Sequence, residues 1–320
     1  MMKRLLTIAL LACAALTASA DDEPFVLRNG NATMTVDPAK GGKILSLKYQ
    51  DTEVLSQSRW PESFGSTFWT SPQKEWNWPP VPEFDKMPYT VEGRSDTQLV
   101  LRSQKSERLG FSIGKAFTFD ASDGAFVVTY SIRNEGSEER RVAPWEITRV
   151  PNGRSSESRQ ASLDGRVVTD EGEANGDGII FFEAVGDSVW PAGLMSFHST
   201  SGVVWYLTDE APQNRKVNAD GRGWLGYYAN NLALVKKFTD LKANEPAPGE
   251  AEVQVYVNRG RTYIELESQG AYTLLQPGEE LTWTVRWYVV PIDGGYQLQE
   301  NLEKALVPIV FGETHPQPLP

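Results

Sequence analysis

The chain has 320 residues, with 42 acidic against 31 basic side chains and a formal net charge of −11. An acidic balance of that size removes the basic face that phosphate binding needs, so nucleic acid is not an expected partner. One cysteine and two histidines rule out an internal disulfide, cysteine-ligated zinc and a histidine-built metal site.

Met1-Met2-Lys3-Arg4 leads into an apolar run from Leu5 to Leu16, and Ala18-Ser19-Ala20 stands before Asp21-Asp22. This basic, apolar, Ala-x-Ala order is that of an export signal over residues 1–20, and its apolar run is too short to cross a bilayer as a helix. The pattern predicts a periplasmic protein with no transmembrane helix. Leu10-Leu11-Ala12-Cys13 offers a second, less favoured outcome, a lipoprotein acylated at Cys13.

Beyond the signal, short segments alternate with period two, the mark of half-buried strands. They fall at 43–49, 97–103, 111–119, 126–132, 178–184, 202–208, 232–236, 253–257, 263–267 and 281–289. In the fourth, Phe126, Val128, Tyr130 and Ile132 share a side. In the seventh, Leu232 and Leu234 share one with the aliphatic stem of Lys236. Asp123-Gly124, Asn134-Glu135-Gly136 and Pro277-Gly278 supply turn chemistry between them. Helical spacing occurs only at 296–306, through Leu298, Leu302, Ala305 and Leu306. Many short strands with little helix predict an all-β fold, a large antiparallel β-sandwich, as one domain over 21–312. A Pro-rich tail, 313–320, is expected to be disordered.

Residues 60–89 hold Trp60, Phe64, Phe68, Trp69, Trp76, Trp78, Phe84 and Tyr89 among many prolines, a composition that reads as loop rather than strand. Such a segment either walls a ligand pocket with flat indole faces or folds back as a lid over its own rings. At Tyr263-Ile264-Glu265-Leu266-Glu267, strand alternation sets Tyr263, Glu265 and Glu267 on one face. Two neighbouring carboxylates would repel and raise one pKa, as a general base requires, unless the face is simply solvated. In Ala143-Pro144-Trp145-Glu146-Ile147-Thr148-Arg149, alternation parts Trp145 and Ile147 from Glu146 and Thr148. The acidic loop 170–178 carries Ca²⁺-type oxygen ligands, although a solvated turn is the favoured reading and no cofactor is expected. Phosphate-loop, dinucleotide and nucleophile-elbow motifs are absent.

Five stretches carry a resemblance: Gly41-Gly42-Lys43-Ile44-Leu45-Ser46-Leu47; Gly65-Ser66-Thr67-Phe68-Trp69 with Trp76-Asn77-Trp78-Pro79-Pro80; Ala143-Pro144-Trp145-Glu146; Leu266-Glu267-Ser268-Gln269; and Pro277-Gly278-Glu279. In this order and spacing they resemble the galactose mutarotase-like superfamily, and within it a bacterial group similar along most of the mature chain. The resemblance implies a single sandwich with a carbohydrate-binding groove on one sheet. It also implies the cofactor-free chemistry of aldose 1-epimerases, in which a Glu takes the anomeric hydroxyl proton and a His protonates the ring oxygen. The Leu-Glu-x-Gln pattern carries the base to Glu267. No histidine follows 126–142, where the acid of the family sits, which leaves His198 or a protonated Glu146 for that role. The leading expectation is an exported saccharide-binding protein, its groove formed by Trp69, Gln73, Trp76, Trp78, Trp145, Arg149 and Glu265 with Glu267. An active epimerase is the second, and a non-catalytic cell-envelope module the third.

Overall fold

The structure, a computed structural model, describes residues 23–57, 63–152, 178–189, 196–198, 203–207, 213–292 and 298–310. The N-terminal stretch expected to be an export signal, with Cys13, residues 170–177 of the acidic loop and the tail 313–320 lie outside the described residues. So does the His198 side chain, although its backbone is included.

Two large sheets make up the fold, and every described strand pair is antiparallel. Across the first, in spatial order, run β1 (Phe25–Asn29), β2 (Ala32–Asp37), β3 (Lys43–Tyr49), β5 (Ser66–Ser71), β10 (Arg140–Val150), β19 (Ile264–Gln269), β18 (Val253–Val257), β15 (Arg215–Asp220) and β12 (Val185–Val189). The short β4 (Thr52–Glu53) pairs with β3, and β20 (Thr273–Leu275) with β10. Across the second run β13 (Ser196–His198), β14 (Val203–Leu207), β11 (Ile179–Glu183), β16 (Trp224–Ala229), β17 (Leu232–Lys237), β21 (Glu280–Pro291), β9 (Ala125–Asn134), β8 (Phe111–Asp120), β7 (Leu99–Arg102) and β6 (Thr90–Arg94). The expected all-β sandwich is therefore observed. A one-turn helix, α1 (Pro82–Asp85), lies beside β5, and α2 (Leu298–Val310) runs four residues beyond the helix expected from spacing.

Apolar alternation explains both faces of the second sheet. Phe126, Val128, Tyr130 and Ile132 of β9 and Trp283, Val285 and Trp287 of β21 turn inward, into the core shared with the first sheet. On its outer face a separate apolar cluster, including Phe181, Trp224, Val235 and Tyr288, is covered by Leu302 and Leu306 of α2. Asp123-Gly124 makes the β8–β9 turn as expected, with Gly124 at φ +78° and the Asp123 carboxylate accepting from the Ala125 N–H.

Two expectations are corrected. Residues 66–71 are not loop: they form β5, a central strand with all six residues buried. Both its faces are covered, so no exposed polar residue marks a period, and Thr, Phe and Trp are at home in a strand. Lys236 does not merely lend its stem to an apolar face. Its ammonium is fully buried between the sheets, 2.7 Å from Glu146 Oε2. Glu146 Oε1 accepts from Tyr130 Oη (2.7 Å) and Trp287 Nε1 (3.2 Å), and Lys236 also donates to the Leu266 carbonyl (3.2 Å). Burial lowers the Lys236 pKa, and the Glu146 charge opposes that fall.

Removing one member of a buried pair strands the other charge in the core. Lys236→Met is expected to lower the urea-unfolding free energy by about 3–5 kcal/mol. The double variant Glu146→Gln/Lys236→Met, which keeps an acceptor for Tyr130 and Trp287, should regain more than half of that loss. A double variant no better than the single would refute the pairing.

Candidate functional site

The site stands on the outer face of the first sheet, the face turned away from the core. Strand register assembles it in rungs, since residues directly opposite across a pair project to the same side. On one rung Trp69 of β5, Trp145 of β10 and Gln269 of β19 are aligned; on the next, Thr67, Ile147, Glu267, Gln254 and Asn218. A third carries Arg149, Glu265, Tyr256 and Lys216. A cavity of about 500 Å³ opens over them, lined by Trp69, Trp78, Trp145, Arg149, Lys216 and Glu267 among others.

Three indoles form one wall. Trp69 and Trp145 meet edge to face at 5.6 Å between ring centroids, and Trp78 meets Trp69 likewise at 6.3 Å. Trp78 is 66% exposed at the cavity mouth, whereas Trp76 is buried behind the wall, packed on Trp69 and Trp145, and does not line the cavity. The three buried indoles at this wall each have their N–H engaged: Trp69 with Asp85 Oδ1 (2.8 Å), Trp76 with the Thr70 carbonyl (2.7 Å) and Trp145 with Glu267 Oε2 (2.9 Å).

Asp85 is held in place by a glycine turn. Gly41 has φ +67°, and a Cβ there would collide with the Asp85 carbonyl, so only glycine permits α1 to approach. The buried Lys115 ammonium donates to the Gly41 and Gly42 carbonyls at 2.7 and 3.3 Å, and burial lowers its pKa to about 7.

Opposite the indoles lies the charged floor. Lys216 Nζ donates to Glu267 Oε2 at 3.2 Å and sits 5.0 Å from the centre of the Trp145 ring. Among the described residues both donors to Glu267 converge on Oε2, and none reaches Oε1. Burial raises the Glu267 pKa from 4.5 to about 7; Lys216 counters the rise and the nearby Glu265 adds to it. Repulsion between the two carboxylates, the cause expected from the strand pattern, is thus secondary to desolvation. Arg149 Nε donates to Glu265 Oε1 at 2.9 Å.

Beside the floor Glu250 ties the aromatic segment to the sheet. It accepts from the Gln73 backbone N–H (3.0 Å), Gln254 Nε2 (3.0 Å) and Gln269 Nε2 (3.3 Å), and Ser71 Oγ donates to Gln269 Oε1 at 2.6 Å.

Of the residues singled out by sequence, Trp69, Gln73, Trp78, Trp145, Arg149, Glu265 and Glu267 come together around the cavity. Glu146 points the other way, into the core, as β10 alternation requires. The His198 backbone lies in the edge strand β13 of the second sheet. Lys216, Tyr256, Asn214, Asn258 and Arg259 were missed. Tyr256 stood on the polar face of the alternating strand 253–257, and for Lys216 the only signal was the alternation Lys216-Val217-Asn218-Ala219, in which Val217 and Ala219 are buried. Among the described residues no group of side chains is arranged to hold a metal ion, and no helix is long and apolar enough to cross a membrane.

Solved structures with the same architecture decide the fold. A candidate aldose 1-epimerase from Escherichia coli K12 superposes with a TM-score of 0.58 at 13% identity, over 84% of this chain and 99% of that one. The fold is galactose mutarotase-like. A galactose mutarotase-like protein from Lactobacillus casei gives 0.56 at 10% identity over 84% and 100% of the two chains, and one from Clostridium acetobutylicum 0.51 at 11% over 83% and 95%. No protein-family model and no curated protein sequence matches the chain. At such identities the likeness concerns the mutarotase-like fold alone.

The raised Glu267 pKa links the site to stability. Between pH 4.5 and about 7 the folded state holds a proton that the unfolded chain has released. This group's contribution is therefore full below pH 4.5, falls as pH rises, and levels off above about 7. Glu267→Gln is expected to gain stability relative to wild type on going from pH 5 to pH 8 in urea titrations. Parallel profiles for the two proteins would contradict the assignment.

Proposed function

We propose that the protein binds a saccharide in the cavity above the first sheet. The observation that carries this is the pairing of an indole wall, Trp69, Trp78 and Trp145, with a floor of polar groups, Arg149, Lys216, Glu265 and Glu267. A sugar ring has apolar C–H faces and a hydroxyl rim, which such a wall and floor match in turn. The mutarotase-like fold of the solved structures is consistent with sugar binding or epimerase-type chemistry. Tryptophan fluorescence titrated with a panel of sugars should change on binding, and Trp78→Ala should weaken the affinity by roughly three- to tenfold. A flat response across the panel would sink the proposal.

A second reading, an active aldose 1-epimerase, is favoured by one observation. Glu267 combines a pKa near 7 with an Oε1 atom that no described residue engages. A general base works best when its pKa lies close to the operating pH. Polarimetry of freshly dissolved aldoses should then show a rate that drops as pH falls below about 7, where Glu267 gains its proton, and Glu267→Gln should reduce it to that of buffer. Wild-type rates equal to buffer would leave binding without catalysis.

Export belongs to the same proposal, on the strength of the basic, apolar and Ala-x-Ala order before Asp21. Sequencing the N-terminus of the protein from cells should start at Asp21; an acylated N-terminal Cys13 would indicate a tethered form instead.

A further inference from the structure

The cavity has two chemically different ends. Trp145 and Arg149 lie four residues apart on β10, so their backbone positions are separated by about 13 Å along the strand. Arg149 is only 5% exposed, and its side chain reaches back so that its guanidinium packs over the Trp69 ring at 5.7 Å from the centroid, at the border between the wall and its own rung. Its Nε is bonded to Glu265, yet among the described residues neither Nη1 nor Nη2 has a hydrogen-bond partner. A buried guanidinium that lines a cavity with both terminal nitrogens unengaged presents a fork, and a fork of parallel N–H groups fits the two oxygens of a carboxylate.

Charge around the cavity points the same way. Its lining carries three cations, Arg149, Lys216 and Arg259, against two carboxylates, Glu265 and Glu267. Arg149 and Lys216 each have an ion-pair partner, whereas Arg259 has none among the described residues. Arg259 follows Tyr256 by three residues, at the Arg149 end, where its backbone N–H donates to Asn214 Oδ1. A surplus of positive charge in this one recess stands out in a chain of net charge −11. Neutral hydroxyls would make use of the fork but not of the surplus charge.

We propose that the saccharide of this site is acidic: a sugar bearing a carboxylate, which sits on the Arg149 fork within the field of Arg259 while the sugar ring rests against Trp69 and Trp78. The inference rests on the saccharide-binding reading and adds the substrate class to it.

Calorimetric titration of uronic acids and short oligouronates against the matching uronamides, equal in shape but uncharged, tests it. The acid is expected to bind about tenfold or more tightly than its amide, because a charge-assisted pair replaces a neutral one. That ratio should shrink as salt is added. Arg259→Met should lower it, and so should Arg149→Lys, which preserves a cation for Glu265 but removes the fork. Equal affinity for acid and amide overturns the proposal while leaving saccharide binding intact. A preference for sugar phosphates or sulfates over uronates overturns the carboxylate assignment. Failure of acids, amides and neutral sugars alike removes the saccharide reading, and this proposal with it.

Discussion

Across the β10–β19 pair Ile147 faces Glu267, and its neighbours follow: Trp145 against Gln269 and Arg149 against Glu265. Because successive residues of a strand point to opposite faces, this single register assigns every polar residue of both strands to the cavity or to the core. A slip of β10 by one residue would bring Glu146 to the cavity and drive Trp145 and Arg149 between the sheets. Lys236 helps to prevent this, since it holds Glu146 from the second sheet while bonding the Leu266 carbonyl of β19. The site on one face and the ion pair on the other are therefore two outcomes of one alignment.

Desolvation acts differently on the two faces. Inside, Glu146 is met on both oxygens, Oε1 by the Tyr130 and Trp287 donors and Oε2 by the Lys236 ammonium at 2.7 Å, so a full opposite charge accompanies its burial. Outside, Glu267 is just as buried but is served on one oxygen only, by Trp145 and Lys216. An incompletely compensated carboxylate takes up a proton more readily, which is why its pKa rises towards neutrality. Nothing about Glu267 alone produces this; it follows from which neighbours the register supplies.

Much of this was readable in the sequence, for identifiable reasons. Strands with one apolar face, such as β3, β8, β9, β18 and β21, announced themselves by alternation, and the shared face of Glu265 and Glu267 followed from period two. β5 was hidden because burial on both faces erases the polar half of the pattern. β15 was hidden because Val217 and Ala219 are too few to establish a period, and Lys216 was lost with it. The partner of Glu146 was invisible for a different reason. Lys236 reads as an ordinary snorkelling lysine until β17 is placed opposite β10 in another sheet, a relation that no local pattern encodes.

The committed indoles have a consequence for how such a site can change over time. Since Trp69 and Trp145 both spend their N–H groups on the protein itself, they offer a ligand shape and polarisable surface but no directional bond. Discrimination then falls to side chains off the indole rung, Arg149, Lys216 and Arg259, none of which hydrogen-bonds an indole directly. A lineage could exchange those residues one at a time and acquire new ligand preferences while its stacking platform, with its Asp85 and Glu267 anchors, stayed fixed.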